Sequence, residues 1–134
     1  WRIIGYPLFV GDYIESSRVP LDDRLAMLGS LETISLAIPE LNGSEPMETG
    51  YFMQWDCVAS ALKDRDVQDA CLAILKGLVA NADERVQSAA LHGVGHLNHP
   101  SRGAVVQRFI DGHRRSASLE ELAWLEACRD GTVM

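Results

Sequence analysis

Val67-Gln68-Asp69-Ala70-Cys71-Leu72-Ala73-Ile74-Leu75-Lys76-Gly77-Leu78 and Val86-Gln87-Ser88-Ala89-Ala90-Leu91-His92-Gly93-Val94-Gly95-His96-Leu97 are one helical phrase written twice, at an offset of 19 residues. At about 100° per residue, Val67, Ala70, Cys71, Ile74, Leu75 and Leu78 gather on one side of the first copy. Val86, Ala89, Ala90, Gly93, Val94 and Leu97 do the same in the second. Asp64 and Asp66 precede the first copy, Asp83 and Glu84 the second, where acidic side chains accept free N–H groups and meet the positive end of a helix. The stretch predicts helix, short turn, helix. The copies differ where Ala73, Ile74, Lys76 and Gly77 give way to His92, Gly93, Gly95 and His96. Glycine inside a helix costs about 1 kcal/mol relative to Ala, so Gly93 and Gly95 predict that a neighbouring element approaches closely there.

The flanking sequence is also helical in pattern, with no strand. Residues 1 to 15 are dense in apolar groups, among them Trp1, Ile3, Ile4, Val10 and Ile14, and predict a short helix. Pro20 suits a first helical position, and Leu25, Leu28, Leu31, Ile34, Leu36 and Ile38 then recur at intervals near three and four, predicting a helix that Pro39 stops. Glu40 to Gly50 reads as the long loop, and Tyr51 to Leu62 as one helix with Phe52, Trp55, Val58, Ala59 and Leu62 on its apolar face. A helix through Val105, Val106, Phe109 and Ile110 follows Pro100. The last begins at a capping box of Ser118 with Glu121 and stops at Gly131.

A chain of 134 residues is one domain in size, and no apolar run nears the roughly 20 residues needed to cross a bilayer. Residues 1–134 are therefore read as a single domain. Trp1 is not an initiator methionine, so a processed or partial chain is expected. Cys57, Cys71 and Cys128 are odd in number and widely spaced, which argues against a disulfide framework and against a zinc knuckle. They read as reduced thiols, Cys128 the most exposed, and a cytoplasmic setting is expected. The net charge of -7 is lopsided: residues 1 to 62 hold three Arg against nine acidic residues, whereas residues 63 to 134 are nearly balanced. An acidic field repels a phosphate backbone and attracts a basic surface, so nucleic acid is disfavoured and a cationic protein partner favoured.

The phrase Asp83-Glu84-Arg85-Val86-Gln87-Ser88-Ala89-Ala90-Leu91, with the recurring Val-x-x-Ala-x-Leu from Asp66 to Ile110, resembles HEAT-like repeats, departing from them in having Gln87 where Arg is common. The resemblance implies an all-α, right-handed solenoid of about three antiparallel helix pairs. Ala90 to Leu97 and Cys128 to Met134 further resemble segments of small bacterial HEAT-like proteins, some of which act as immunity partners of secreted toxins.

Chemistry is sparse. His92, His96 and His99 fall at i, i+4 and i+7, and two imidazoles at i and i+4 can grip one metal ion. No Glu adjoins them as in a His-Glu-x-x-His site, and Pro100 is expected to displace His99, so a polar stripe is the expected role. Cys57 and Cys71 occupy apolar helical positions, no serine has a Gly-x-Ser-x-Gly setting, and Arg102, Arg108, Arg114 and Arg115 are expected to pair locally with Asp111, Glu120 and Glu121. The reading is a non-enzymatic, protein-binding module with no cofactor, its contact residues being Asp22, Asp23, Glu40, Glu45, Glu48 and Tyr51. An immunity-type inhibitor masking a basic toxin is its specific version. The alternatives are a metal-dependent enzyme using His92 and His96, and a self-associating scaffold.

Overall fold

Asp64 and Asp83 stand as N-caps at the two places where the duplicated stretch needs them, their side chains accepting the backbone N–H of Asp66 and of Arg85. These caps open α5 (Arg65–Val79) and α6 (Glu84–His96), which pack against each other across a short turn. The computed structural model describes residues 6–45, 47 and 49–134. Among these it is all-helical: α1 (Tyr6–Glu15), α2 (Leu21–Asn42), α3 (Thr49–Phe52) and α4 (Gln54–Ala59) precede the pair, and α7 (Arg102–His113) and α8 (Leu119–Asp130) follow it. The capping box of Ser118 with Glu121 is present, and Gly131, in the left-handed region at φ 75°, ends α8 as expected. The predicted contribution of Trp1, Ile3 and Ile4 to the first helix lies outside the described residues.

α6 is the centre of the molecule, touching α2, α3, α4, α5, α7 and α8. Its sequence accounts for that position. A Cβ on Gly93 would lie 2.5 Å from Cβ of Trp55 on α4, and one on Gly95 would lie 2.6 Å from Cγ1 of Val133 and 3.1 Å from Cα of Cys128. The two glycines thus admit α4 on one side and the α8 end on another, the close approach that their low helix propensity implied. One apolar core runs through the whole chain, from Ile14 and Leu28 through Trp55, Val67, Leu75, Leu91 and Val94 to Val106, Ile110 and Leu125.

α2 departs from expectation at Pro39, which lies inside the helix instead of ending it. Proline has no N–H to give to the carbonyl four residues back, which here is Ser35. The Tyr51 hydroxyl supplies the missing donor, at 2.8 Å from that carbonyl, while Trp55 Nε1 donates to Ser35 Oγ at 3.0 Å. Beyond Pro39, the Arg85 guanidinium donates to the carbonyls of Gly43 at 2.6 Å and Pro39 at 3.4 Å, closing the helix end from α6. The predicted loop is shortened accordingly, since helix persists to Asn42 and resumes at Thr49.

Two further expectations are corrected, and the buried face of α2 is defined. Tyr51 to Leu62 is two helices, broken at Met53. Ile34 and Leu36 of that apolar series are exposed, because a helix lying over one side of a core buries only a stripe, here Arg24, Leu28, Ser35 and Pro39. Cys128 is buried and not exposed, with burial pushing its thiol up to about 12. No helix among the described residues is long and apolar enough to cross a membrane.

Candidate functional site

Asp22 and Asp23 are exposed in the first turn of α2, where the helix dipole favours them. Glu40 and Glu45 are exposed at its other end, about 27 Å away along the helix at about 1.5 Å per residue. The two groups therefore bracket a helix face and do not form one cluster. The single basic residue of α2, Arg24, is buried, donating to the Ile14 carbonyl and to Asp64 Oδ2 at 2.8 Å. Arg24 therefore leaves the acids uncompensated, and no ion pair among the described residues includes Asp22, Asp23, Glu40 or Glu45. Of the exposed apolar groups of α2, Ile34 and Leu41 share one flank of the outer face, and Leu36, two residues from Ile34, lies on the other.

The other two predicted contact residues are Glu48 and Tyr51. Glu48 lies outside the described residues. Tyr51 is 6% exposed and committed to Ser35, with burial first and the Asp83 charge second pushing its hydroxyl up to about 12. It is a structural donor in the core, and the expectation that it anchors a partner is withdrawn. The basic residues of the last helices also behave differently from expectation: Arg108, Arg114 and Arg115 form no ion pair with Asp111, Glu120 or Glu121. Arg102 instead donates to the carbonyls of Leu97 and Asp130.

The histidine stripe divides. His99 leaves it, as Pro100 implied, and joins α5: its Nδ1 accepts the Ser101 N–H at 3.0 Å and its Nε2 lies 2.7 Å from Asp69 Oδ1. His92 and His96 stay together on α6, their Nε2 atoms 3.0 Å apart and their ring centroids 4.7 Å apart. A third group, absent from the sequence reading, completes the cluster. Asp56 of α4 places Oδ1 3.3 Å from His96 Nδ1, and one ligand atom from each of Asp56, His92 and His96 lies within 4.8 Å of the others.

The proton arrangement of this cluster follows from its contacts. Asp56 favours the proton on His96 Nδ1, which leaves His96 Nε2 free to accept the Nε2–H of His92. His92, only 7% exposed, is held below the ordinary histidine range, by burial first and by the neighbouring His96 second. His96 and Asp56 keep about a fifth of their side-chain surface open to solvent, 20% and 21%. The signal that could have found Asp56 is indirect: Gly93 promises a close neighbour, and Asp56 follows the Trp55 that fills that place. Comparison with protein-family models, curated proteins and solved structures returned no match.

Proposed function

We propose that this chain is a non-enzymatic, HEAT-like helical-repeat module that binds a basic protein surface through the outer face of α2. One observation carries the reading: all exposed charged groups on α2 are acidic, while its one cation is buried and spent on Asp64. Fixed negative charges at the two ends of the helix, with exposed Ile34 and Leu41 on one flank, suit a partner whose cationic groups straddle a smaller apolar patch. The repeat reading is supported by a recurring contact pattern, in which α4, α6 and α8 pack in succession and α2 packs on α5. An immunity-type inhibitor, which masks a basic toxin, is the biological role that such a surface fits.

The experiment compares the wild type with a D22K/D23K/E40K/E45K variant as bait for partners from the native host, followed by identification and measurement of binding. Exposed charges contribute about 0.2–1 kcal/mol each, so the loss of four amounts to about 1–4 kcal/mol and should weaken a captured complex by about fivefold to several hundredfold. The wild-type complex should also weaken as salt is raised. A partner bound equally by both proteins would remove the α2 face from the reading. If the partner is a second copy of the chain, light scattering will show the variant alone as monomer and the wild type as oligomer.

A further inference from the structure

We propose that His92 and His96, with Asp56 behind them, form a binding site for one divalent transition-metal ion of the zinc class. The proposal rests on side-chain geometry and is independent of the protein-binding reading. Two nitrogens that each sit about 2.1 Å from one ion are about 3.0 Å apart when they meet it at a right angle, and about 3.4 Å apart at a tetrahedral angle. The two Nε2 atoms are 3.0 Å apart, within reach of either arrangement after a small rotation of the rings.

The surroundings supply what a histidine pair needs to hold an ion. Both rings rise from α6, the most enclosed helix of the molecule, so little ordering remains to be done when the ion arrives. Asp56 lies on the far side of the His96 ring, 3.3 Å from Nδ1, and fixes the tautomer that presents Nε2 as a lone pair, the carboxylate–histidine–metal arrangement. His92 ligates as its other neutral tautomer: as the ion takes its place between the rings the Nε2 proton leaves to solvent and Nδ1 takes one up, so the ring stays neutral and no net proton is released. The partial exposure of His96 and Asp56 leaves an entry path and room for water in the remaining coordination positions. Imidazole donors select zinc, cobalt, nickel or copper over magnesium or calcium, which take oxygen ligands. His99 cannot contribute, since it is turned to Asp69 and Ser101.

Isothermal titration of the chelator-treated protein with zinc chloride tests the site. The expected result is one equivalent bound by the wild type, and at least a 100-fold loss of affinity in H92A and in H96A. D56N should weaken binding by about 10- to 100-fold, the usual effect of removing a carboxylate partner from a ligating histidine. H99A should bind as the wild type does, and excess magnesium should not compete. His96 is partly exposed, so H96A separates loss of the ligand from loss of the fold, and circular dichroism checks that the variant remains helical. A wild type that takes up no stoichiometric zinc, or an H96A variant that binds it unchanged, would overturn the proposal.

Discussion

Replacing Gly93 by Ala puts a number on the close approach of α4 to α6. The added methyl group would lie 2.5 Å from Trp55 Cβ, 3.2 Å from Trp55 Cγ and 3.2 Å from Leu75 Cδ2. Carbon atoms rest about 3.5 to 4.0 Å apart, so α4 must retreat by roughly 1 Å. Neither neighbour has a solvent side to yield into, since Trp55 is 1% exposed and Leu75 fully buried. Overpacking of this kind costs about 1–3 kcal/mol, and the shortest contact here is to an atom fixed to the backbone, which places the cost at the upper end. Helix propensity opposes it with about 1 kcal/mol in favour of Ala. The expected net is a loss of about 2 kcal/mol. Gly29, in the middle of α2 with nothing within 4 Å of its Cβ position, isolates the propensity term, and G29A should gain up to about 1 kcal/mol. Urea denaturation of G93A, G29A and wild type reads both through the midpoint at unchanged slope. A G93A protein as stable as the wild type would refute the close packing of α4 on α6.

Tyr51→Phe keeps the ring in the core but leaves the Ser35 carbonyl, already without its helical donor because of Pro39, unpaired. It should cost about 1–3 kcal/mol in the same denaturation assay, whereas a helix that truly stopped at Pro39 would lose almost nothing. Asp64 is held below the ordinary carboxylate range, first by its hydrogen bond from Arg24, so its folded-state value lies under its unfolded one. Its contribution is therefore complete above the unfolded value, near pH 4, and is lost as the pH falls through the folded value. Asp64→Asn keeps an N-cap for α5 and removes the charge, and should flatten the acid side of a plot of stability against pH; an unchanged acid slope would exclude the Arg24 pair as its source.

The sequence pattern carried the helical elements better than the faces they bury. Caps at Asp64, Asp83 and Ser118 and the stop at Gly131 are local chemistry, decided within a few residues, and they could be read directly. Pro39 could not, because the donor that rescues its helix comes from Tyr51 and the cation that closes it from Arg85, both remote in sequence. The same remoteness misassigned Tyr51. An aromatic beside acidic residues reads as a contact group until its hydroxyl is seen to be spoken for. The buried face of α2 was not legible for a different reason: nearly every turn carries apolar residues on more than one side, so periodicity alone does not choose which side faces inward.

Asp56 belongs to the histidine cluster for a reason that begins in the broken repeat. At the position where the first copy has Ile74, the second has Gly93, and the missing side chain is the space into which Trp55 fits. Trp55 brings the next residue with it. Asp56 therefore reaches the flank of α6 where His92 and His96 stand one turn apart, in place of Ala73 and Gly77 of the first copy. A duplicated helix that had kept its apolar side chains would have held α4 further off and left the histidines without a carboxylate. The change from Ile74 to Gly93 weakens α6 as a helix and admits the element that carries Asp56, so at that position helix propensity is traded for site chemistry.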